Sequence, residues 1–148
     1  MKPSVISWML CALIAVSGGG PCAAGETEVG AADARAVRAV IEAQLSALAA
    51  GDAQRAFSYA SPSIQSQFGD AGSFIGMVRQ GYAMLIRPLE TLFLRPEAVE
   101  QGVMQPVHVR DRDGRAWLAV YHVQRQPDAS WRINGCLVTP DDDDHRPA

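Results

Sequence analysis

From Ala32 to Ala50, apolar residues recur at three- and four-residue spacing, with Val37, Val40, Ile41, Leu45 and Leu48 on one side and Arg35, Arg38, Glu42 and Ser46 on the other. That period predicts an amphipathic helix. Gly51 can take the left-handed backbone that ends it, and Asp52 can accept hydrogen bonds from the free N–H groups of a second helix running to about Ala60. Ser61-Pro62 repeats the device for a short piece bearing Ile64 and Phe68, and Gly69-Asp70 opens a fourth helix with Phe74, Ile75, Val78 and Tyr82 on one face. After Arg87-Pro88 the period changes to two, with β-type runs at Thr91 to Arg95, Val103 to Arg110, Ala116 to Gln126 and Trp131 to Val138. Asp113-Gly114 and Pro127-Asp128 mark the turns. Helices followed by a meander predict one α+β domain over 32–138, with the helices packed on a curved antiparallel sheet of about four strands.

The two ends of the chain read differently. Residues 1–24 carry Lys2, an apolar run from Val5 to Val16, then Gly-Gly-Gly-Pro and small residues through Cys22-Ala23-Ala24, the three regions of a secretory signal peptide. The run falls short of the roughly 20 apolar residues that span a bilayer. Cys22 has Gly19 three places before it, which speaks against a lipid-anchored form. The expectation is a periplasmic or secreted protein with no stable membrane insertion after cleavage, a linker at 25–31 and a disordered acidic tail at 139–148. Asp141 to Asp144 read there as a solvated run, because a calcium loop needs fixed geometry.

Charge and cysteine content narrow the possibilities. The whole chain has a net charge of −3, and removing the signal takes away Lys2 and no acid, so nucleic acid is not an expected partner. Cys11 and Cys22 would leave with the signal. Cys136 then stands alone, and an intramolecular disulfide is impossible.

Four blocks, "AAGDAQRAFSYASPSIQSQFGD", "FIGMVRQGY", "DGRAWLAVY" and "RQPDASWRINGC", together resemble a family of exported bacterial proteins known as the domain of unknown function 4864. The resemblance covers nearly all of Val37 to Val138 and departs at Ala129, where a turn glycine is expected. It implies a cone-shaped fold similar to the nuclear-transport-factor-like superfamily, which includes ketosteroid isomerases, dehydratases and non-catalytic binding modules. Such a fold does not settle function.

Even-length hairpin loops would place even-numbered residues opposite odd-numbered ones on one face of the sheet. One face then collects Val103, Gln105, Val107 and Val109 with Leu118, Val120 and His122, and with Trp131, Ile133, Gly135 and Leu137. The other collects His108, Arg110, Trp117, Tyr121, Arg125, Arg132 and Cys136 with their neighbours. On this register His108 and His122 point apart and cannot share a metal, and no cofactor is implied. His122, opposite Gly135, is the expected floor of a pocket completed by Gln105, Tyr59 and Tyr82; the alternative is a core histidine bonded to a carbonyl. Trp117 and Tyr121 are the candidate interface. Cys136 reads as an inert small residue and the three arginines as wetting a sheet face.

Three functions compete. The first is a non-catalytic exported domain binding a small apolar or amphipathic ligand. The second is a module that forms a homodimer or docks on an envelope protein through Trp117 and Tyr121. The third is an enzyme resembling the ketosteroid isomerases or dehydratases. The acids between Val103 and Leu137 are Asp111, Asp113 and Asp128, all at turns, which leaves His122 as the base and weighs against catalysis.

Overall fold

A computed structural model describes residues 28–142; the expected signal peptide and most of the acidic tail lie outside them. Helix α1 runs Ala31–Ala49, α2 Ala53–Ser58, α3 Pro62–Phe68 and α4 Ala71–Gly81, followed by a 3-10 turn at Ala83–Leu85. Each corner is made as its residues dictate. Gly51 and Gly69 take positive φ, and the side chains of Asp52, Ser61 and Asp70 accept from the N–H groups of Arg55, Ile64 and Ser73. Val37 and Ile41 of α1, together with Ala47 and Ala56, are fully buried against the sheet side of the core.

The sheet is curved and has five antiparallel strands: β1 Glu90–Phe93, β2 Glu97–Val99, β3 Gly102–Arg110, β4 Ala116–Arg125 and β5 Trp131–Pro140. Strand β2, absent from the expected set, pairs with the start of β3 after the chain turns at Arg95-Pro96. Strand β5 continues through Thr139 and Pro140, residues expected to begin the tail. Beyond them the Asp141 N–H still donates to the Ala116 carbonyl. No described helix is long and apolar enough to cross a membrane.

The expected face assignment of β4 is overturned. Val103 pairs with Val123, Gln105 with Tyr121, Val107 with Ala119 and Val109 with Trp117, so odd numbers face odd numbers. The cause is the loop. Asp111 N–H donates to the Arg115 carbonyl and Gly114 N–H to the Asp111 carbonyl, which closes a three-residue connection with Gly114 at φ 83°. This is a type I turn followed by a left-handed residue. The second hairpin repeats it with Ala129, at φ 69°, in the glycine's place. An odd loop sends Ala119, Tyr121 and Val123 into the core and Leu118, Val120 and His122 to the outer face. A bulge between His122 and Val123 then adds Asn134 on β5. Ile133 and Cys136 consequently both face the helices.

Candidate functional site

Between the helices and the inner face of the sheet lies a cavity of about 340 Å³. The helical corners build its walls. Helix α1 contributes Gln44 and Leu48, α3 contributes Ile64, Gln67 and Phe68, and α4 contributes Phe74, Met77 and Val78. Tyr82 and Leu85 follow α4, and Tyr121, Ile133 and Cys136 rise from the sheet. Helix α3 has no fully buried residue, and exposed Gln67 sets it at the mouth. It is held by polar contacts. Ser61 N–H donates to the Ile133 carbonyl at 2.8 Å, Ile133 N–H donates to the Tyr59 carbonyl at 2.9 Å, and Gln65 Nε2 donates to the carbonyls of Phe57 and Ala60. This bridging pins the α2–α3 corner to β5 beside the bulge.

Among the described residues, no charged side chain lines the cavity. Its polar groups are few and neutral. Gln44 is 6% exposed and gives Nε2 to the Ala56 carbonyl at 3.2 Å, which fixes the amide oxygen as its other end. Tyr82 Oη donates to the Cys136 carbonyl at 3.1 Å. Tyr121 is 1% exposed, and its hydroxyl is buried with no hydrogen-bond partner in the structure. Burial raises the Tyr121 phenol well above its ordinary range, with the neighbouring Cys136 thiol adding to the effect. Burial also pushes the Cys136 thiol up to about 12, while Tyr121 draws it partly back. Only a thiolate would accept strongly from Tyr121. The thiol stays protonated, and a thiol is a weak partner.

Of the residues singled out in the sequence, Tyr82 alone of the four pocket candidates lines the cavity. His122 is displaced to the outer face by the odd hairpin loop. It does sit opposite Gly135, but there its Nε2 donates to the Gln101 carbonyl at 3.2 Å and its Nδ1 accepts from Asn134 Nδ2 at 3.4 Å. The carbonyl can only accept, which sets that tautomer. Gln105 is 2% exposed and spends Nε2 on the carbonyls of Leu94 and Pro106, both at 2.8 Å, where β1 gives way to β2. Tyr59 packs at the core margin and accepts from Arg55 Nε at 3.3 Å.

The interface candidates also move. Tyr121 is a cavity residue and offers no surface. Trp117 shares the inner face, donating Nε1 to Asp111 Oδ2 at 2.8 Å. Cys136 faces inward as well. His108 and His122 share the outer face after all, opposite Leu118 and Met104. Four residues along β3 separate those rows, about 13 Å, too far for one metal ion. His108 Nδ1 instead meets Asp141 Oδ2 at 2.5 Å. Of the three arginines, Arg110 and Arg132 lie on the outer face by register and Arg125 on the inner: Arg125 reaches Asp33 of α1 at 3.8 Å, Arg132 donates to the Ser58 carbonyl, and Arg110 lies 3.8 Å from Glu90.

Gln44, Tyr121 and Cys136 were missed as cavity residues. For the last two a signal existed in "DRDG", because Asp at the first and Gly at the fourth position mark a type I turn with an odd loop.

The family model described as a domain of unknown function, DUF4864, matches residues 30–145. No curated protein and no solved structure matches the chain. The chain belongs to the DUF4864 family.

Proposed function

We propose that this member of the DUF4864 family is an exported, non-catalytic domain that holds a small, predominantly apolar molecule between its short helices and its sheet. The observation that carries the reading is the cavity of about 340 Å³, mostly apolar in lining and, among the described residues, free of charged side chains. A cavity on the order of 150 Å³ takes one benzene ring, so this one suits a molecule of roughly two rings or an equivalent aliphatic body. Binding sites of this kind are concave and mostly apolar with a few placed polar groups. Catalysis by proton transfer would need a titrating group within reach of the substrate. The cavity wall offers a protonated thiol, two phenols and two amides instead. Export is supported by the three-region pattern of residues 1–24.

Binding is tested with the uncharged fluorophore N-phenyl-1-naphthylamine. Wild-type protein should enhance its emission saturably, and Ile64→Trp, which adds bulk at the cavity mouth from a half-buried position, should abolish that while keeping the helical circular dichroism. Unchanged enhancement in Ile64→Trp would place the dye elsewhere and sink the reading.

The interaction module is a second reading, transferred to other residues by the strand register. Leu92 and Leu137, 56% and 66% exposed, flank Leu118 and Val120 on the outer face. Sedimentation of wild type and Leu137→Glu separates a homodimer through that face from a monomer.

A further inference from the structure

Within the protein the Tyr121 hydroxyl neighbours only the weakly accepting Cys136 thiol and makes no hydrogen bond of ordinary geometry. Among the described residues it is the buried side-chain polar atom without a hydrogen-bond partner, and it belongs to a residue of the cavity wall. Buried polar groups are otherwise paired, because an unmet donor is strongly disfavoured away from water. Phenylalanine would fill the same volume without that liability.

We propose that Tyr121 is the specificity-determining residue of the cavity, donating its hydroxyl proton to an uncharged oxygen acceptor, a carbonyl or ether-type oxygen, on an otherwise apolar ligand. It rests on the cavity being a ligand site, and it adds the chemical class.

Three features of the wall support the assignment. The other tyrosine, Tyr82, has already committed its proton to the Cys136 carbonyl, so it cannot serve as the donor. Cys136, beside Tyr121 in the β4–β5 register, is a protonated thiol and competes weakly. Among the described residues no lysine, arginine or histidine lines the cavity, so a carboxylate or phosphate ligand would be desolvated without a counter-charge. A neutral acceptor has no such penalty. The hydroxyl oxygen itself has almost no accessible surface, so a side chain must shift for a ligand oxygen to reach it. The lining includes half-buried Met77, whose unbranched side chain can shift to let a ligand oxygen in. The hydroxyl proton itself rotates without moving a heavy atom.

The test uses two probes of one shape, 2-acetylnaphthalene and 2-isopropenylnaphthalene, which differ in C=O against C=CH2. Tyr121→Phe should weaken the ketone about three- to tenfold, the contribution of one net hydrogen bond, while leaving the hydrocarbon unchanged or tighter. The infrared carbonyl band of the bound ketone should lie at lower frequency in wild type than in Tyr121→Phe. If the hydrocarbon binds but the variant alters both probes by one factor, or leaves the ketone and its band unchanged, the assignment of Tyr121 is overturned and the cavity reading survives. If neither probe binds wild type, the cavity reading falls and this inference with it.

Discussion

The two tyrosines of the cavity should respond oppositely to loss of their hydroxyls in the absence of ligand. Tyr82→Phe removes a donor engaged with the Cys136 carbonyl at 3.1 Å. A net hydrogen bond of this kind contributes about 1 kcal/mol, and the variant should be destabilised by that amount. Tyr121→Phe removes a buried hydroxyl that has no partner. An unsatisfied buried polar group costs roughly 1–3 kcal/mol. Part of that returns as a loss, because removing the oxygen leaves a small void and the weak contact with the Cys136 thiol disappears. The expected net change is a gain of about 1 kcal/mol, which for a domain of this size corresponds to about 4 °C in melting temperature. Urea unfolding followed by circular dichroism resolves it as a rise in midpoint at unchanged slope. A fall of about 1 kcal/mol in Tyr121→Phe would show that the hydroxyl is hydrogen-bonded in solution and would refute the reasoning. The pattern predicted is the trade seen where a binding site keeps a group the fold would be more stable without.

Gly102 sits at φ 136° with Val123 O only 2.2 Å from where a Cβ would stand; Gly102→Ala should destabilise by more than about 2 kcal/mol in urea, and a neutral result would mean that β3 and β4 separate there easily. Asp111 accepts from the Trp117 indole first, then from the backbone N–H groups of Arg115 and Asp113, and its carboxyl is held below the ordinary range. A depressed folded-state value stabilises above the unfolded-state pKa of about 3.9 and is lost as pH falls through the lower folded value; Asp111→Asn should therefore flatten the part of the stability profile below about pH 4, and an unchanged acid limb would contradict this. His122→Leu should leave retention of any cavity ligand as it is, because His122 bonds Gln101 and Asn134 on the outer face. Loss of binding in that variant, with the fold intact, would contradict the observed register.

The helical half was legible because its signals are local. Asp52, Ser61-Pro62 and Asp70 each cap the helix they precede, and no distant contact has to be known to see it. The strands themselves were legible from their period, but not the side each residue faces. On β4 both alternating sets are apolar, Leu118 and Val120 on one side and Ala119, Tyr121 and Val123 on the other, so alternation could not arbitrate. Register then hung on loop parity, and one residue reverses the whole strand. At the second hairpin Ala129 adopts the left-handed conformation that a glycine would have advertised. Asn134, the extra residue at the bulge, carries the rest, since it lets Ile133 and Cys136 face the same cavity. Its side chain accepts from Ser61 Oγ at 2.7 Å, across 73 residues of chain, a pairing invisible in the sequence.

The most direct test of the cavity as a binding site is methyl NMR of the protein titrated with 2-isopropenylnaphthalene, which has no polar atom and so probes the cavity independently of Tyr121. The methyls of Leu48, Ile64, Val78, Leu85 and Ile133 line the cavity and should shift together along a single saturating curve. Shifts confined to Leu92, Leu118, Val120 and Leu137 on the outer face, or no saturable shift at all, would contradict it.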